Sequence, residues 1–197
     1  MKFLINIYIK IIGLKNLILN KLLFLRKNII YNQFPSINGI LLITGNGELT
    51  IGENVKFNSS RRSNPIGGDS KLIIDLGKNG RLNIGDNTGI SNAAIIAHDN
   101  IQIGSNVKIG GSVKIYDTDF HSLDPEIRKI SSKDIPMTKM ITIEDNVFIG
   151  AHSIILKGTF IGENSIVGAG SVVTKRIPPN QIWGGNPAKF IKEIGTN

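Results

Sequence analysis

The chain has 197 residues, 23 of them basic and 15 acidic, giving a net charge of +8, and it contains no cysteine. That length suits one domain with a real core. The lack of cysteine excludes a disulfide framework, a thiolate metal site and a cysteine nucleophile. Excess base favours anionic partners, either a phosphorylated cofactor or a membrane surface. A nucleic-acid partner is not expected, because the bases are scattered and no stacking platform or binding motif accompanies them.

Three parts follow one another: an apolar and basic segment, 1–35; a repetitive body, 36–177; and a tail, 178–197. From Met1 to Ile30 the polar residues Lys2, Asn6, Lys10, Gly13, Asn16, Asn20, Lys27 and Asn28 gather on one side of a helix drawn at about 100° per residue. Lys15 and Arg26 fall off that stripe. The pattern predicts an amphipathic helix with a broad apolar face. Lysines interrupt each apolar run short of the roughly 18 residues a spanning helix needs. No small-residue cleavage site follows, so a signal peptide is not expected. Such a helix could lie in a membrane interface with its lysines at anionic headgroups. It could equally pack on the body of the chain or on a neighbouring subunit.

In the body, a branched aliphatic residue recurs at every sixth position: Ile143, Ile149, Ile155, Ile161, Val167 and Val173. Small or β-branched residues follow four places later at Val147, Ser153, Thr159, Ser165 and Ser171. The phase extends upstream through Ile103, Ile109 and Ile115, and through Ile84, Ile90 and Ile96. A step of seven separates Ile96 from Ile103, which predicts one bulged residue. Ile51 and Phe57 read as an early, weaker rung. Neither a helical period nor strict alternation explains a six-residue repeat; it is the signature of a parallel β-helix whose aliphatic residues point inward. Three such units make one triangular coil. The phase breaks between Tyr116 and Met140, and a polar insertion of that length reads as a loop projecting from one edge.

Three histidines could carry chemistry. His121 lies in YDTDFHSLD, where the coil gives way to the loop and carboxylates are close by. A histidine whose tautomer is fixed by a second group can act as general base near neutral pH; the plain alternative is a solvated loop histidine. His98 and His152 sit at expected corners and read as surface or interface residues. No close histidine pair is present, so no metal site is expected.

The stretches IGDNTGI, IGSNVKIGGSVKIYDTDFHSLD, IEDNVFIGAHSIILKGTFIGENSIVGAGSVVTKRIPPN and WGGNPAKFIKEI resemble the hexapeptide-repeat acyltransferases. Within that family they resemble most the bacterial O-acetyltransferases of capsule, exopolysaccharide and O-antigen sugars. The resemblance covers about Ile84 to Ile194. It implies a left-handed parallel β-helix with a short helical tail at the C-terminus, assembled as a homotrimer with active sites in clefts between subunits. It implies acetyl-CoA-dependent acetylation of a sugar hydroxyl on a surface polysaccharide or its precursor, with His121 as base. Such an enzyme works in the cytoplasm, and the N-terminal helix suggests attachment to the inner face of the cytoplasmic membrane.

By the same resemblance, Asp117 or Asp119 orients the histidine or holds the acceptor, and Ser91 or Asn92 is a polar acceptor contact. Ala151 and Ala169 leave room for pantetheine, Thr174 and Lys175 lie near the adenosine end, and Lys189 and Lys192 lie near the coenzyme phosphates. Gly184 to Pro187 turn the tail back over the site. Phe148 stands where many relatives carry tryptophan; it keeps an apolar cleft wall and loses the indole N–H. The alternatives are N-acetylation of an amino sugar, nucleotide-linked or free, and a metal-dependent hydratase or non-catalytic scaffold on the same fold.

Overall fold

The computed structural model describes residues 2–195, with side chains from residue 7 onward. Lys2 and Asn6 of the helical stripe therefore lie outside the described side chains. The repeats fold as a three-sided, left-handed parallel β-helix. The first face stacks strands at 30–31, 48–51, 81–84, 100–103, 141–143 and 160–161. The second stacks 36–39, 56–59, 89–91, 108–109, 148–149, 166–167 and 181–184, and the third stacks 42–45, 73–76, 94–97, 114–116, 154–156 and 172–173.

Register explains the six-residue period. Each short strand turns one aliphatic side chain inward, and the same residue of the next coil sits on top of it. Ile51, Ile84, Ile103, Ile143 and Ile161 form the column of the first face. Phe57, Ile90, Ile109, Ile149 and Val167 form that of the second. Ile74, Ile95, Ile115, Ile155 and Val173 form that of the third. All are buried, and full burial of each aliphatic side chain contributes about 1.5–3 kcal/mol.

Two sequence expectations are corrected here. Ile51 and Phe57 are not a weaker rung: they are 1% and 0% exposed and lie in unbroken columns. Ile96 does not point inward; Ile95 and Ala97 do. The extra residue sits at the His98–Asp99 corner, where both backbone N–H groups donate to the Asp117 carboxylate, at 2.8 and 2.9 Å.

The corners have their own chemistry. Between the first and second faces Asn54, Asn87, Asn106, Asn146, Asn164 and Asn180 all adopt φ between 55° and 60°. Asparagine tolerates this left-handed conformation better than other residues with a Cβ. Its side chains also form a ladder there: Asn146 Nδ2 donates to Asn164 Oδ1 at 3.1 Å, and Asn164 Nδ2 to Asn180 Oδ1 at 2.8 Å. Beneath the corners, the hydroxyls of Ser153, Thr159 and Ser165 donate to the carbonyls of Gly168, Val173 and Pro178. This explains the small hydroxyl residue four places after the aliphatic one.

Helix α1 (Lys2–Arg26) closes the N-terminal mouth of the coil. Phe24 is buried against Phe34 and Tyr31. Asn20, expected on a stripe facing away from apolar contacts, is buried. Its amide donates to Gly39 O and its carbonyl accepts from Leu41 N, so it satisfies the open edge of the first coil. Ile9, Ile11, Leu14, Ile18, Leu22 and Leu25 stay exposed. No described helix is long and apolar enough to cross a membrane.

The tail is not helical. Gln181–Gly184 pairs with Val167 and its neighbour, then Lys189–Glu193 folds back antiparallel on it. The second sheet ends in an open edge, and that edge recruits the alternating residues of KFIKE as a strand, overriding their helical propensity.

Candidate active site

The loop 117–140 leaves the corner between the third and first faces. Its base is an antiparallel contact: Thr118 bridges Thr138, Asp119 N donates to Met137 O, and Lys139 N donates to Asp117 O. Its crown is a single helical turn, α2 (Pro125–Arg128), capped by Asp124, which accepts from the amides of Glu126 and Ile127. Arg128 Nη1 ties the turn back to Ser122 O at 2.7 Å.

His121 stands between base and crown. Phe120 before it adopts φ 64°, an uncommon conformation for a bulky residue. Its ring is held between Tyr116 and His98, with centroids 5.3 and 6.2 Å away. The turn this creates points His121 outward. Its Nδ1 lies 2.6 Å from Asp134 Oδ2, and the other oxygen of Asp134 accepts from Ser122 N, also at 2.6 Å. The Ser122 amide and then His121 hold the Asp134 carboxyl below the ordinary aspartate range. A carboxylate at Nδ1 places a proton there in neutral imidazole, which leaves the Nε2 lone pair outward; the imidazole is two-thirds exposed.

The expected orienting residues are placed elsewhere. Asp117 is fully buried and bonds the His98 and Asp99 amides; burial raises its pKa and those two hydrogen bonds oppose the rise. Asp119 pairs with Lys157 at 3.1 Å. The sequence does not mark Asp134 as the partner of His121, because the loop has no period to place the two together. Among the described residues, no group of three or more His, Cys, Asp or Glu side chains could hold a metal ion.

On the outer face of the second sheet, Phe148 is 47% exposed. Ser91 accepts from Asn58 Nδ2 at 3.0 Å. Asn92 is buried; its amide binds Ser70 O and tethers the insertion 60–71. Ala151 and Ala169 lie at the corner between the second and third faces, one coil apart. A Cβ on Gly110 or Gly150 would meet the Ala151 or Ala169 amide nitrogen at 2.7 or 2.5 Å, so the edge is stripped to backbone. Thr174 and Lys175 are exposed beyond the far end of the third face, and Lys189 and Lys192 are exposed on the terminal hairpin. Ala188 N donates to Val172 O, so that hairpin crosses the last coil near the alanine edge.

Residues 140–175 match the family model described as the hexapeptide repeat of succinyl-transferase. The chain is 38% identical over 138 residues to the galactoside O-acetyltransferase of Lactococcus lactis, covering 63% of this chain and 65% of that protein. It is 42% identical over 103 residues to the galactoside O-acetyltransferase of Escherichia coli, covering 52% of this chain and 49% of that protein. The chain thus spans between about half and two thirds of the length of these curated relatives. Among solved structures, it is similar to a hexapeptide-repeat acetyltransferase of Vibrio cholerae complexed with acetyl coenzyme A, at 37% identity and TM-score 0.54, covering 58% of this chain and 61% of that one. By its six-residue period, its three-sided coil and these likenesses, the chain belongs to the hexapeptide-repeat acyltransferase family.

Proposed function

We propose that the protein transfers an acetyl group from acetyl coenzyme A to a sugar hydroxyl of a surface polysaccharide or its precursor. The observation that carries this is the 2.6 Å pair of His121 and Asp134 on a projecting loop, with two thirds of the imidazole exposed and Nδ1 taken by the carboxylate. Nε2 takes the proton of the acceptor hydroxyl as its oxygen attacks the thioester carbon. A tetrahedral oxyanion forms, collapses to the ester and expels the coenzyme thiolate, which recovers the proton from the imidazolium. Asp134 holds the tautomer and does not touch substrate. Asp117 fixes the base of the loop through the His98 corner, and Asp119 with Lys157 fixes its flank.

The coenzyme fits the bare edge at Ala151 and Ala169. Neither alanine amide is spent on a hydrogen bond in the coil, so both can donate to its amide or thioester oxygens. Thr174, Lys175, Lys189 and Lys192 supply the contacts for its adenosine and phosphates. Phe148 and Ser91 face the acyl and acceptor side. His121 and the alanine edge occupy different corners of the triangle, separated by a strand of about 10 Å. A neighbouring copy therefore completes the site, which is the reason to read the protein as a homotrimer. The exposed apolar residues of α1, with Lys10, Lys15 and Lys21 among them, support docking on an anionic cytoplasmic membrane surface.

The test is release of free coenzyme A in the presence of a panel of sugar and oligosaccharide acceptors. Acceptor-stimulated release is expected from the wild type and at least about a hundredfold less from His121→Ala. Unchanged release from the variant would sink the assigned base.

A further inference from the structure

Two cavities adjoin along the outer face of the second sheet. One, of about 560 Å³, lies beside α1; the other, of about 480 Å³, ends at Phe148. They share Lys56 and Asn58. Asn58 links them physically, accepting from Asn38 Nδ2 at 2.9 Å and donating to Ser91 at 3.0 Å. The end beside α1 is lined by the apolar Ile9, Ile12 and Ile37 and by the cationic Lys56 and Arg62. The end at Phe148 carries Lys108. Among the described residues no carboxylate lines either cavity, and the sequence has none before Glu48.

Gly13 opens this groove. It sits inside α1, where glycine costs about 1 kcal/mol relative to alanine. A Cβ there would meet nothing within 4 Å, so no packing contact among the described residues requires glycine. Its missing side chain leaves the helix side of the groove lower where Gly13 lines it.

We infer that the groove binds a phosphorylated lipid that carries the acceptor sugar. The hydrocarbon lies against α1, the phosphate between Lys56 and Arg62, and the sugar extends toward Phe148. A lining that combines aliphatic side chains with cations, with no competing carboxylate among the described residues, selects an amphiphile with an anionic head over either part alone. The placement of the sugar rests on the acyl-transfer reading; the lipid and phosphate contacts do not.

The experiment is equilibrium binding of farnesyl phosphate to the full chain, with farnesol and glucose 1-phosphate as controls and no coenzyme present. Farnesyl phosphate is expected to bind at least about tenfold more tightly than either control. Gly13→Phe, which fills the groove from the helix, and Arg62→Glu, which reverses its charge, should each weaken binding about tenfold or more while circular dichroism and thermal melting stay native. Equal affinity for farnesol, or wild-type binding by both variants, would overturn the proposal. So would absence of binding in a protein whose transfer to soluble sugars requires His121; that result leaves the catalytic reading standing. Groove-dependent binding in a protein whose transfer ignores His121 supports the lipid site and removes the catalytic one.

Discussion

At the scale of single residues, His121 was legible in the sequence and its partner was not. DTDFHS offers two aspartates close to the histidine, and proximity along the chain favours them. The fold spends both elsewhere: Asp117 on two amides and Asp119 on Lys157. Asp134 arrives from the return limb of the loop, brought there by a turn that no period encodes. Its lowered pKa has a direct consequence. The Asp134 carboxylate holds the loop fully at pH values above the ordinary aspartate range, and that hold is lost only as pH falls through the depressed value. The Ser122 amide resonance should therefore titrate with a midpoint below that of an ordinary aspartate. A midpoint in the ordinary range would show that the link is not formed in solution.

At the scale of elements, branched aliphatics six apart specify the columns, and these were readable because each inward position repeats the same steric demand. The sequence leaves the register of the third face open at Ile96, because Ile95 and Ile96 are both acceptable to the core. The Asp117-bound corner, distant in sequence, decides between them. The corner asparagines recur in plain view, yet their role depends on a left-handed backbone that hydrophobic patterning does not report. Asn164→Val should destabilise the coil by about 1–2 kcal/mol, because a β-branched residue resists positive φ. Asn164→Gly should lose less than the valine variant, having lost only the amide ladder. Urea unfolding of the two variants beside the wild type measures the difference; equal losses would remove the conformational argument. The strand in the tail is not legible for another reason: the unpaired sheet edge that recruits it is a tertiary feature.

At the scale of the whole molecule, α1 has two jobs on two surfaces. Asn20 and Phe24 close the coil, while Leu14 and Ile18 remain exposed at 60% and 50%. The full chain should bind vesicles containing phosphatidylglycerol, and binding should fall with added salt and in a Leu14→Glu, Ile18→Glu double variant whose exposed positions leave the coil intact. Equal binding to neutral vesicles would contradict the electrostatic part of this reading. The separation of His121 from the alanine edge makes a second prediction. Co-assembled His121→Ala and Ala151→Trp chains, each inactive alone, should recover about a quarter of wild-type transfer if each site draws its base and its coenzyme edge from different copies in a random mixture. A site contained within one chain would recover none.

The central claim is acyl transfer by His121, and the most direct measurement is acetyl-CoA-dependent acetylation of sugar acceptors by wild type and His121→Ala at equal assembly state. Acceptor-dependent release of coenzyme A with a matching acetylated product, lost by at least about a hundredfold in the variant, is the result the structure leads us to expect. Equal product formation by both proteins would contradict it.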